Sequence, residues 1–218
     1  MKIALFDLDN TLIAGDSDAG WGDYLVEQGI VDGASYGQQN QRFFADYKAG
    51  KLDIYAYLHF QLNVLAQHPV EQLHRWRAAF VEQKIKPWLL PQGQTLIQQH
   101  QNAGAVVAII TATNFFVAEP IAQMMGVPHL IATRPRLEKG RYTGAFDGIP
   151  TFAHGKIQAF NHWLAGHQLM ASETWFYSDS HNDLPLLQQV DHPIAVDPDP
   201  LLQQTAQQNS WPIISLRQ

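Results

Sequence analysis

The chain predicts an α/β protein built on a parallel sheet, with a helical insertion after its first strand. Three observations lead there. Short apolar runs recur and end in polar residues, amphipathic stretches separate most of them, and one block of about 70 residues is helical throughout. Runs that are apolar on both faces belong to strands covered on both sides. Their alternation with helices marks a parallel sheet.

Residues 2–8, KIALFDL, are the first strand and close on Asp7, Asp9 and Asn10. From 16 to 86 the spacing is helical, with Trp21, Tyr24, Leu25, Phe43, Phe44, Tyr47, Tyr55, Leu58, Leu62 and Leu65 at the apolar positions. That is too long for a crossover. It reads as a small cap subdomain (16–86) on a Rossmann-like core (1–15 and 87–218), with hinges near 13–15 and 87–91. The aromatic stripe is expected to pack as the cap's own interior. A helix over 93–103 then leads to a second strand at 105–111, AVVAIIT, and a helix follows at 115–125. Residues 136–146 carry hairpin chemistry around Lys139 and Gly140. Helices over 154–164, 184–190 and 201–208 alternate with strands at 174–180 and 192–197. Paired glutamines on these helices read as uncharged solvated faces.

Composition narrows the function. The 218 residues are 46% hydrophobic and 16% charged, enough to bury a core. Fourteen Lys plus Arg against twenty Asp plus Glu give a net charge of -6, a poor surface for nucleic acid. No apolar run reaches the ~20 residues of a membrane span, and the first residues do not resemble a secretory leader. Zero cysteines exclude a disulfide scaffold and thiol chemistry. Ten histidines include no HExxH-type pair, which argues against catalytic zinc. A cytoplasmic protein is expected, with no membrane or nucleic-acid partner and an oligomeric state the sequence leaves open.

The strand ends carry the chemistry, because open α/β sheets bind ligands at their C-terminal edge. Asp7 and Asp9 are two residues apart and leave the same face of a strand. Thr111 and Thr113 precede a helix start at 114–116, whose free N–H groups would favour an anion. Asp179 and Asp183 flank the next strand end, and Lys156 lies in the first turn of a helix. Taken singly, each has an ordinary explanation: a turn, a satisfied hydroxyl, a solvated lysine or a helix cap. Together they would gather four carboxylates around one lysine. Two carboxylates ~4 Å apart repel by ~4 kcal/mol at an effective dielectric of 20, so the cluster needs a cation. Oxygen donors alone point to Mg²⁺.

These residues also match a family pattern. Asp7-Leu8-Asp9-Asn10-Thr11, Thr111 after an apolar strand, Lys156, and Ser178 to Asp183 (SDSHND) resemble, in order, the four motifs of the haloacid-dehalogenase-like phosphohydrolases. The helical insertion after the first motif resembles the subgroup that includes phosphoserine phosphatase. The stretches around Tyr177 to Leu187 and Ala195 to Asp199 are similar to its bacterial phosphoserine- or histidinol-phosphatase-like branch. The resemblance implies a Mg²⁺-dependent phosphomonoesterase acting on a small phosphorylated metabolite. Asp7 would be the nucleophile and Asp9 the general acid and base. Asp7, Asp9 and Asp179 would hold Mg²⁺, Asp9 through its carbonyl, with Asp183 beside them to orient Lys156 or a metal-bound water. Thr111, Ala112 and Lys156 would hold the phosphoryl oxygens.

Asp16, His59 and Asn182 are the expected substrate contacts. Asp16 would meet an amino group. His59 aligns with the position of an arginine that clamps the carboxylate of phosphoserine, and it lacks that arginine's two-pronged fork. The second motif reads Thr-Ala-Thr in place of Ser-Gly-Gly, and Ser178 replaces a glycine. A phosphorylated amino alcohol such as histidinol phosphate is therefore expected over phosphoserine. Phosphoserine phosphatase, a phosphotransferase or mutase, and an inactive phosphate-binding protein are the alternatives.

Overall fold

The computed structural model describes residues 1–217. Strand β1 (Lys2–Phe6) enters the middle of the sheet. Helices α1 (Ser17–Glu27), α2 (Gln38–Lys48), α3 (Ile54–Gln67) and α4 (Val70–Phe80) follow, then α5 (Pro91–Asn102) and β2 (Val106–Ile110). Next come α6 (Phe115–Met124), β3 (His129–Ile131), β4 (Arg134–Glu138), β5 (Arg141–Asp147), α7 (His154–Gly166) and β6 (Glu173–Ser178). The chain closes with α8 (Leu184–Leu187), β7 (His192–Val196), α9 (Pro200–Gln208) and β8 (Ile213–Ile214).

Six strands form one sheet in the order β3-β2-β1-β6-β7-β8, and every neighbouring pair is parallel. The expected α/β architecture is present. Strands β3 and β8, of three and two residues, are additions to the sequence reading. Side chains alternate across β1 as a pleat requires. Ala4 and Phe6 join one buried cluster with Val107 and Ile109, while Ile3 and Leu5 join another with Ala108 and Ile110.

The helical stretch lies on the Phe6 side and shares its interior. Trp21, Tyr24, Leu62, Leu65 and Phe80 belong to the same buried cluster as Phe6, Val107 and Phe116. Trp21 meets both Phe80 and Phe116 edge-on, at 5.4 and 5.9 Å between ring centres. The aromatic stripe is thus joined to the sheet rather than sealed within the insertion. Tyr55 departs from the reading, being 58% exposed.

The hairpin forms where expected. Lys139 (φ 48°) and Gly140 (φ 75°) both take the left-handed conformation that a two-residue β-turn needs. Its second strand packs on α3, where Gly144 (φ 80°) lies against Asn63 and Ala66. Among the described residues no helix is long and apolar enough to cross a membrane.

Candidate active site

Register places the site. Phe6 pairs with Ile109 on one side and Tyr177 on the other, so the residues that follow all leave the sheet at one edge. Asp7, Thr111, Ser178 and Asp179 are therefore neighbours. The Asp7 N–H still donates to the Tyr177 carbonyl at 2.8 Å. The chain reverses direction across the sheet between β1 and β6, which opens the crevice where doubly wound sheets bind ligands.

Lys156 enters from the first turn of α7 and is buried to 2% exposure. Its Nζ donates to Asp7 Oδ1 and to Asp183 Oδ2, both at 2.7 Å. Asp183 Oδ2 also accepts from Ser178 Oγ at 2.6 Å. Asp183 is thus occupied in orienting the lysine, one of its two expected roles. Burial alone would lower the lysine's pKa, but Asp183 and Asp7 together hold it above its ordinary value. A tight loop aims this residue. Ala153 takes φ 48° and ψ -122°, and a Cβ at Gly155 would stand 2.0 Å from the Pro150 carbonyl oxygen. Gly155→Ala is therefore expected to cost roughly 2–3 kcal/mol in a thermal melt and at least tenfold in turnover. An unchanged melting temperature would show that the loop yields.

Asp9 turns toward the insertion. Its Oδ1 accepts from Ser17 N at 2.5 Å and its Oδ2 from Thr113 Oγ1 at 2.7 Å. Asp16, the N-cap of α1, accepts from the N–H groups of Asp18 and Ala19. The first three orphan N–H groups of α1 thus all go to carboxylates, as the partial positive charge of a helix start favours. The two carboxylate oxygens of Asp9 are thus taken by α1 and by Thr113 at the corner between β2 and α6. Asp179 is braced by Thr11, whose hydroxyl accepts from Asp179 N at 3.1 Å and donates to Asp179 Oδ1 at 3.2 Å.

Burial governs the electrostatics. It lifts Asp7 to about 7 against the pull of Lys156, with Asp183 and Asp9 adding repulsion. It lifts Asp9 to about 7 as well, with Asp16 adding and the bonds from Ser17 and Thr113 opposing. Asp179 is raised well above the ordinary carboxylate range by burial and then by Asp7 and Asp183. Among the described residues, both ion pairs within this cluster are made by Lys156.

No group of three or more Asp, Glu or His among the described residues forms a ready-made metal cage. Mg²⁺ does not need one, since it keeps several waters and uses one or two carboxylates. Asp7, which shares Lys156 with Asp183, and Asp179, buried beside both, fit that donor set.

A cavity opens beside Asp7 and Asp9, lined by Asp16, Asp18, Phe43, Tyr57, Thr111 and Ala112 among others. One expectation is corrected here. His59 is exposed and lines a different cavity with Ile30 and Tyr36. It follows Tyr57 by two residues on α3, about 200° round the helix, so it faces away. Asn182 donates from its side chain to the Tyr47 carbonyl at 3.1 Å and fastens the insertion to the loop carrying Asp179; it opens on a neighbouring cavity. The start of α6 is also less free for an anion than expected. Phe115 N donates to the Thr133 carbonyl and Val117 N to the Asn114 side chain.

Asp18 and Tyr47 were missed. Asp18, buried and raised well above the carboxylate range by its burial, accepts from Asn114 Nδ2 at 2.9 Å. Tyr47 reaches Ser180 Oγ at 3.4 Å. Only their polarity inside an otherwise apolar helix pattern could have pointed to them.

Comparison with known proteins bears on the fold and the family. A model of the haloacid dehalogenase-like hydrolase family matches residues 4–188. A histidinol-phosphatase of Neisseria meningitidis serogroup C is 42% identical over 220 residues, covering 99% of both chains. A solved structure of a protein of unknown function from Bordetella pertussis Tohama I is 42% identical, with a TM-score of 0.93 over 99% of this chain and 98% of that one. A phosphoserine phosphatase solved as a phospho-aspartyl intermediate analogue shares the fold at 18% identity, with a TM-score of 0.71 over 100% and 94% of the two chains. The chain belongs to the haloacid dehalogenase-like hydrolase family.

Proposed function

We propose that the protein is a Mg²⁺-dependent phosphatase that hydrolyses the phosphate ester of a small amino alcohol through an aspartyl phosphate on Asp7. The observation that carries this reading is Asp7 itself. It stands at the central strand end, hydrogen-bonded to a buried lysine, with Asp9 two residues on at the cavity wall. In the first step an Asp7 oxygen bonds to phosphorus, the ester bond breaks, and Asp9 gives its proton to the leaving oxygen. In the second, Asp9 takes a proton from water as that water bonds to phosphorus and the bond from phosphorus to the Asp7 oxygen breaks, which releases inorganic phosphate and restores the Asp7 carboxylate. A carboxyl poised near 7 suits both directions of transfer. Lys156, Thr111 and Ala112 hold the phosphoryl oxygens. Asp7, the Asp9 carbonyl and Asp179 would hold Mg²⁺, which when bound offsets the charge on the transferring group. Residues 16–86 act as the cap that closes the cavity over the leaving group. The absence of cysteine fits a reducing, cytosolic compartment.

The cavity wall supports the substrate class. Its lining includes Asp16 and Asp18 and, among the described residues, no Lys, Arg or His. An ammonium on the leaving group would offset the cost of burying these carboxyls in charged form, whereas this wall offers a carboxylate no cationic side chain. The name of the Neisseria relative points the same way. We expect kcat/KM for L-histidinol phosphate to exceed that for L-phosphoserine at least tenfold under identical Mg²⁺, with all activity lost in EDTA. Equal or reversed preference would overturn the substrate class. Full activity after rigorous chelation would overturn the metal.

A further inference from the structure

Thr113 is a buried hydroxyl that the chemistry above does not use, yet it touches the group that moves the proton. It is 2% exposed, and its Oγ1 donates to Asp9 Oδ2 at 2.7 Å. The same oxygen accepts from Ser17 Oγ at 3.3 Å. A hydroxyl has one hydrogen, so the Ser17 contact fixes the direction of the Thr113 bond: its proton goes to Asp9. The backbone is fixed too, since Thr113 N donates to Thr111 Oγ1 at 3.1 Å at the end of β2. The next residue, Asn114, caps α6.

Asp9 thus has one donor on each oxygen, Ser17 N from the start of α1 and Thr113 Oγ1 from the β2–α6 corner. A carboxyl on a one-carbon stem can otherwise turn about its last bond, and χ2 of aspartate is broad. Two donors on opposite oxygens set its plane. Proton delivery to a leaving oxygen depends on that plane, because a misdirected acid loses rate without losing binding. The Thr-Ala-Thr departure in the second motif supplies this hydroxyl.

We infer that Thr113 is a positioning residue that holds the Asp9 carboxyl in the plane required to protonate the leaving group. The inference rests on the phosphatase reading. In the step concerned, the bond from phosphorus to the leaving oxygen breaks with its electron pair kept on oxygen, and the Asp9 proton joins that oxygen. An alkoxide cannot leave without the proton, whereas p-nitrophenolate is a stable anion and can. The two leaving groups therefore separate positioning of the acid from general damage to the site.

The test compares Thr113→Val, Thr113→Ala and Thr113→Ser on L-histidinol phosphate and on p-nitrophenyl phosphate, with thermal melts to verify folding. With enzyme in excess, so that only the first step is read, we expect the Val and Ala variants to release the alcohol of the alkyl ester tenfold or more slowly, with substrate affinity within twofold. Release of p-nitrophenolate, which precedes the water step that Asp9 also serves, should stay within threefold of wild type. Thr113→Ser, which keeps the hydroxyl, should stay within threefold on both. Equal losses in the release of the two leaving groups, or a serine variant as slow as valine, would overturn the role of Thr113 and leave the phosphatase reading standing. A wild type that hydrolyses neither ester would defeat that reading itself.

Discussion

Asp7→Asn is expected to abolish turnover while raising the melting temperature at pH 8 in EDTA. The amide has the shape of the carboxylate but not its nucleophilicity. A variant that kept more than a tenth of the wild-type rate would have lost less than ~1.4 kcal/mol of transition-state stabilisation, too little for a nucleophile. The stability gain follows from the burial of Asp7. Its carboxyl is raised to about 7, so the folded state holds that proton more tightly than the unfolded chain does. The associated stabilisation is complete below the ordinary carboxylate range and is lost as pH rises through about 7. Keeping the charged form buried above that pH costs at most roughly 4 kcal/mol. The charge attraction that Lys156 loses offsets part of it, leaving roughly 1–3 kcal/mol, a few degrees for a chain of this size. The advantage of the variant should shrink toward pH 4.5. A wild type that melts at or above the variant at pH 8 would show that the buried charge is not a cost.

Lys156→Ala is expected to have the largest effect on stability. The side chain is the counter-charge of two buried carboxylates at 2.7 Å each. Removing one partner of a buried ion pair typically costs 3–5 kcal/mol, because the charge left behind has neither water nor a cation. Activity should fall more than a hundredfold as the phosphoryl group loses the same cation. The stability deficit should be greatest above pH 7 and narrow as the pH falls, since Asp7 can then take up a proton. Chemical denaturation at pH 8 and pH 5 checks this, and an equal deficit at both would mean lost packing rather than lost charge. Adding Asp7→Asn to Lys156→Ala should recover part of the stability at pH 8.

The strands that build the site were legible because each is a short apolar run ending in a carboxylate or threonine. Parallel register then carries Asp7, Thr111 and Asp179 to one edge with no further information. Lys156 and Asp183 were legible only through the order of the motifs, since nothing local separates them from a solvated lysine and a helix cap. What the sequence hid was direction. Asp9 and Asp7 share a face of the strand pattern, yet the Ser17 N–H at the start of α1 and the Thr113 hydroxyl hold the Asp9 carboxylate, while Lys156 holds Asp7. His59 was misplaced because an alignment without helix phase cannot tell it from Tyr57, whose side of α3 lines the cavity. Strands β3 and β8 were too short to show a period, and they form because a neighbouring strand already offers its edge.

The β4–β5 hairpin limits how the parts of this protein can be exchanged. It lies in the sheet-forming half of the sequence but packs on α3 as well as on α6, with Gly144 against Ala66 of α3 and Tyr142 against Phe116 of α6. A chimera that transplanted 16–86 alone onto another sheet would strip α3 of that cover and leave the donor's hairpin resting on α6 alone. A transplant that keeps this packing takes 16–86 together with 134–147. A recombination library built on this scaffold needs paired breakpoints around both segments, and single-crossover progeny should be enriched among the insoluble clones.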